Sequence, residues 1–111
     1  MTTAEVVKHW PEAPKFGRPD EDAAVLMQWG HGIGLGLYEP PFVTRAWSLE
    51  HPEVIKAGMT LALETIDGTG EITHEYPSGQ GVRVEDMVHV TEKGVDFLTR
   101  WPVDDITVCD V

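Results

Sequence analysis

His31, in the run Trp29-Gly30-His31-Gly32-Ile33-Gly34-Leu35, stands with Glu64 and Glu85 as one imidazole and two carboxylates. Nitrogen and oxygen donors of this kind suit a divalent ion such as Mn²⁺, Fe²⁺ or Zn²⁺. Glycines on both sides of His31 carry no Cβ, so backbone there can approach a bound group closely. Each residue also has a plain reading. A histidine between glycines is often a loop residue, Glu64 could be solvated at a strand end, and Glu85 could pair with Arg83 or His89 on its own face. Together the three point to part of a metal-hydrolase site.

The elements that must position these residues follow from pattern. Ala4 to Trp10 predicts two helical turns ended by Pro11, followed by an irregular connector with Pro14, Gly17 and Pro19. A second helix is expected over Glu21 to Gln28, capped by Asp20 or Asp22, with Ala23, Ala24, Leu26 and Met27 as its apolar face. Glycines and prolines between Gly30 and Pro41 forbid a regular helix, which leaves His31 on an extended segment or loop. Ser48 to Gly58 reads as a turn.

Met59 to Thr65 alternates, with Met59, Leu61 and Leu63 on one side and Thr60, Ala62 and Glu64 on the other. Val82 to Thr91 is the matching strand, with Arg83, Glu85, Met87 and His89 sharing a side. Opposed residues of an antiparallel hairpin keep a constant index sum. Pairing Glu64 with Glu85 centres the connection between His74 and Glu75, midway between the glycine pairs Gly68/Gly70 and Gly79/Gly81. Carboxylates so opposed, with Cβ atoms about 5 Å apart, repel unless a cation lies between them or one is protonated. His9, His51 and His74 are expected at the surface, and His89 is a candidate supporting group behind the ligands.

Composition narrows the function. The 111 residues fit at most one domain, and 41% hydrophobic content supports a modest core. Eight basic against 19 acidic residues leave a net charge of −11, which argues against a phosphate-binding surface and so against nucleic acid as a partner. The single cysteine, Cys109, excludes an internal disulfide and lies among aspartates that disfavour a thiolate. No apolar run has the length of a signal peptide core or a membrane span, so the expected setting is the cytoplasm.

Three stretches in this order, GHGIGLGLYEPPFV, GMTLALET and GVRVEDMVHVTEKG, resemble the C-terminal part of the pita-bread metallopeptidases, the family of Xaa-Pro aminopeptidase, prolidase, methionine aminopeptidase and creatinase. The resemblance covers about residues 27–100. It implies an α+β fold, the distal half of a pita-bread domain with antiparallel strands and a flanking helix. It divides the chain into an irregular leader (1–19), a motif core (20–103) and a tail (104–111). It places metal ligands on His31, Glu64 and Glu85, and catalytic roles on Glu64 and Glu85. Glu64 is preferred as the base because its end of the strand is expected to be the more open. Tyr38, Glu39 and Arg83 fall on substrate-binding positions, the first two within the Gly36–Pro41 segment that would line the pocket.

The family site holds two divalent ions, with manganese expected here and zinc, cobalt or iron as alternatives. Its two aspartates come from sequence preceding a segment like this one. The resemblance thus implies a chain that is incomplete alone and inactive in isolation, associating with the missing half or with a second copy. Where the family usually carries His-Glu-x-Pro, this chain has Tyr38-Glu39-Pro40-Pro41. A tyrosine there can donate a hydrogen bond but not a proton near neutral pH. The substrate class implied is a peptide or small molecule. The alternatives are a non-peptidase branch of the fold, an amidinohydrolase or lyase, and an inactive remnant that serves as a binding module.

Overall fold

The computed structural model describes residues 1–67, 82–102, 104–105 and 107–109. Helix α1 (Thr3–Val7) is followed by a 3-10 turn (Ala13–Phe16), strands β1 (Gln28–Gly32) and β2 (Glu39–Val43), helix α2 (Arg45–Ser48), and strands β3 (Thr60–Asp67), β4 (Val82–Thr91) and β5 (Gly94–Phe97). The strands form one antiparallel sheet in the order β2-β1-β3-β4-β5. Pro40 and Pro41 lie in β2, an edge strand, where a residue without an N–H costs the sheet no ladder bond on its open side.

The hairpin expected from alternation is present, and its register pairs Glu64 with Glu85, Ala62 with Met87 and Thr60 with His89. Its centre, between His74 and Glu75, lies outside the described residues. Against β1, Glu64 faces Trp29 and Ala62 faces His31. Side chains alternate along a strand, so Trp29, His31, Glu64 and Glu85 share one face of the sheet.

The opposite face carries Val43, Leu61, Leu63, Val88, Val90 and Val95, which line an open groove of about 570 Å³. Helix α1 covers part of this region, lying against β2 and α2. The leader is anchored to the rest of the chain through Arg45. Its Nη1 donates to the carbonyls of Val7 (2.9 Å) and Trp10 (3.2 Å), and its Nε to Glu21 Oε1 (3.0 Å).

Two expectations are corrected. The first helix is shorter, starting at a capping box in which Thr2 Oγ1 accepts from Glu5 N–H and Glu5 accepts from Thr2 N–H. No helix spans Glu21 to Gln28. Asp20 does cap the segment, through Ala23 N–H at 2.8 Å, but residues 21–27 form turns and bury only Ala24 and Met27. The Met27 carbonyl is taken by Ile66 N–H at 2.7 Å, so cross-strand bonding captures the chain before a helix, marginal at this length, could extend. The turn expected from Ser48 is present over residues 49–58, and helix α2 precedes it, ending at Ser48, whose Oγ accepts from Thr44 N–H at 3.1 Å.

Candidate metal centre

Glycines make the strand around His31 possible. A Cβ on Gly30 would lie 2.8 Å from Leu63 Cδ2, and one on Gly32 would collide with the carbonyl oxygens of Glu39 and Pro40. The close approach that these glycines allow is therefore to neighbouring strands rather than to a ligand. At Gly32 the β1–β2 register shifts, so His31 faces Phe42 while Gly32 faces Glu39.

His31 and Glu64 are only 1% and 3% exposed. Glu64 Oε1 accepts a hydrogen bond from Trp29 Nε1 at 2.9 Å and lies 3.3 Å from His31 Nε2. Glu64 Oε2 forms an ion pair with Arg83 Nη1 at 2.6 Å. The other ring nitrogen, His31 Nδ1, is 2.9 Å from the carbonyl oxygen of Gly32. A carbonyl can only accept, so Nδ1 carries the hydrogen, and when the ring is neutral Nε2 presents a lone pair to Glu64.

A lone pair and a carboxylate oxygen facing each other inside the protein repel unless a proton or a cation lies between them. Two donors on one ion, each at about 2.0–2.2 Å, are about 3.0–3.5 Å apart for tetrahedral or octahedral angles. The 3.3 Å separation fits that span. A backbone carbonyl on the far nitrogen is also the usual outer partner that orients a metal-binding imidazole. The residues present fit one side of a divalent metal site.

Glu85 completes the set only by register. It is exposed, and among the described residues no group of three histidine, cysteine or acidic side chains is gathered as a metal would need. The expectation that Glu64 occupies the more open position is reversed. Trp29 on β1 covers Glu64, whereas β5 pairs with β4 only from Val88 onward, leaving the Glu85 end of β4 without a neighbour on its outer side. Arg83 faces Ile66 in the ladder and reaches to Glu64 rather than to Glu85.

Tyr38 stands over His31, its ring edge-on with centroids 4.5 Å apart, and is 56% exposed. Glu39 turns back onto its own loop, where Oε1 accepts from Gly36 N–H. His9 and His51 are exposed as expected, and His51 stacks on Trp47 with ring centroids 4.0 Å apart. His74 lies outside the described residues. His89 is half-buried on the Glu85 side, opposite Thr60 and Asp96.

Sequence reasoning missed Trp29. Its indole stacks on Phe42 (5.9 Å, 18°) and lies 5.2 Å from the His31 ring while bonding Glu64. Its place two residues before His31, hence on the same face of an extended strand, was the available signal.

Comparison with known proteins defines the class. Residues 4–92 match the model of metallopeptidase family M24, and the chain belongs to that family. Of solved structures, it is similar to prolidase from Pyrococcus furiosus, at 29% identity and a TM-score of 0.53, over 89% of this chain and 23% of that one. It is likewise similar to dipeptidase PepE from Mycobacterium ulcerans, at 26% identity and a TM-score of 0.54, over 89% of this chain and 21% of that one. A curated relative, the Bacillus subtilis (strain 168) protein named "Putative dipeptidase YkvY", is 35% identical over 75 residues, 68% of this chain and 18% of its own length. The chain thus spans about a fifth of the length of the relatives it matches. Its α+β architecture is the one that the prolidase and dipeptidase structures share. Among the described residues no helix is long and apolar enough to cross a membrane.

Proposed function

We propose that this chain contributes the His31–Glu64 side of a divalent metal centre in an M24-type peptide hydrolase. The observation that supports this most strongly is the buried pair of His31 Nε2 and Glu64 Oε1, separated by 3.3 Å with Nδ1 committed to Gly32. Mn²⁺ suits an oxygen-rich donor set of this kind, and Glu85 is the third donor. When bound, the ion polarises the scissile carbonyl and an attacking water.

The chain's own groups do the rest. His31 and Glu64, held rigidly, fix where the ion sits. Glu85, the exposed carboxylate of the pair, accepts the proton of the attacking water. Tyr38 borders the substrate beside His31, and its hydroxyl supplies a hydrogen bond where family members usually use an imidazole. A peptide substrate reaches the exposed Tyr38 and Glu85 side of the sheet, in a cytoplasmic setting. The remaining ligands lie outside His31, Glu64 and Glu85, either in a missing proximal half or in a partner copy.

The ion pair of Arg83 with Glu64 favours a second reading, in which an internal cation satisfies the carboxylate and the chain is an inactive binding module. Mn²⁺ titration followed by electron paramagnetic resonance of the free ion separates the two. The metal reading expects binding that His31→Ala abolishes, together with little or no Mn²⁺-dependent cleavage of a Xaa-Pro dipeptide by these 111 residues alone. Absence of binding, or binding indifferent to His31→Ala, would overturn the metal reading.

A further inference from the structure

The Trp29 side chain has the geometry of a lever on Glu64. The two residues are directly opposed across β1 and β3, and the indole N–H donates to Oε1 at 2.9 Å. The ring itself has little freedom. Phe42 stacks on it, and the rings of Tyr38 and His31 lie 5.7 and 5.2 Å away. One donor therefore fixes the carboxylate oxygen that also faces His31 Nε2.

We propose that Trp29 is a positioning residue for the metal-facing carboxylate, resting on the reading of His31 and Glu64 as metal ligands. A carboxylate has two equivalent oxygens and a nearly free terminal torsion, so burial alone does not set which lone pair faces the ion. The N–H occupies one lone pair of Oε1 and leaves another aimed toward His31 Nε2. Arg83, half exposed on the opposite oxygen, is the weaker constraint and can leave for solvent. Trp29 cannot leave without unstacking from Phe42. Outer partners of metal ligands typically change metal affinity by about 10–100-fold when removed.

The test separates the hydrogen bond from the ring. Benzothienylalanine at position 29 keeps the bicyclic shape and replaces the N–H with sulfur, and Trp29→Phe removes the donor along with part of the ring. Mn²⁺ affinity is read by electron paramagnetic resonance of the free ion. In parallel, the Trp29 indole proton is followed by NMR in the metal-free protein and in Glu64→Gln.

The expected result is a loss of Mn²⁺ affinity of about tenfold or more in both Trp29 variants. The indole proton should resonate downfield in the parent and move upfield in Glu64→Gln, where the acceptor is neutral. Parent-like affinity in the benzothienylalanine protein would overturn the proposal and reduce Trp29 to packing, with the metal reading intact. If the unaltered chain binds no Mn²⁺, the metal reading itself falls, and the positioning role with it.

Discussion

The two faces of this sheet solve burial in opposite ways. On one, Trp29, His31, Glu64 and Arg83 interlock through directional contacts of 2.6–3.3 Å. On the other, Leu61, Leu63, Val88 and Val90 line a groove that stays open. A buried carboxylate must have partners or it costs several kcal/mol, whereas an apolar wall tolerates a missing neighbour at a cost that scales only with area. The polar face is therefore held by directional contacts, and the apolar face is left open.

Breaking the polar face should have the largest effect. Glu64→Ala strips the acceptor from the Trp29 indole and the Arg83 guanidinium together, and is expected to destabilise the fold by about 3 kcal/mol in urea unfolding. Gly32→Ala drives a methyl into the Glu39 and Pro40 carbonyls and should cost about 2 kcal/mol by the same assay. A smaller loss would mean that the β1–β2 bulge yields easily.

Val88→Ala probes the other face. Its side chain is buried, but it lines an open groove that can relax around the lost methyls, so about 1–2 kcal/mol is expected. A penalty matching that of Glu64→Ala would erase the contrast between the faces. An apolar dye such as ANS should bind the parent at the groove, and a bulky polar substitution at exposed Val95 should reduce its fluorescence.

The smallest effect belongs to Glu5, an exposed residue of α1. The backbone N–H of Thr2, and secondarily its hydroxyl, hold the Glu5 carboxyl below its ordinary value of 4.5. A depressed folded-state value stabilises the protein above the unfolded value, and that contribution is lost as pH falls through the folded one. Glu5→Gln should thus melt slightly below the parent at neutral pH and level with it in acid. A gap that persists in acid would show that Glu5 acts through something other than its charge.

The register of the β3–β4 hairpin was legible to the residue, though not the ends of β3, because alternation has period two and the index sum of one pair fixes every other. The Thr2-x-x-Glu5 capping box starts the first helix at Thr3, one residue before the Ala4 that the sequence reading predicts. The turns at residues 21–27 and the helix α2 were not legible, since both are short and depend on distant partners such as Ile66.

At the site, residue types and the opposition of Glu64 to Glu85 could be read from spacing. Their unequal burial could not, because it follows from β1 lying beside β3, a non-local pairing that no hairpin arithmetic specifies. Arg83 reaches Glu64 by a diagonal contact inside the hairpin, whereas Trp29, which the spacing put on the face of His31, bonds Glu64 through that same non-local pairing.

That pairing has a consequence for assembly. Every other strand contact joins neighbours in sequence, β1 with β2, β3 with β4 and β4 with β5. Among the described residues the sheet is thus two locally closed units, β1 with β2 and β3 with β4 and β5, meeting at one seam. His31 lies on one side of it and Glu64 on the other. An ion gripped by both would fasten the units and favour their joined form by about 2.7 kcal/mol at a hundredfold excess over its Kd. Chemistry and folding would then share a single joint, and calorimetry with and without Mn²⁺ would read one through the other.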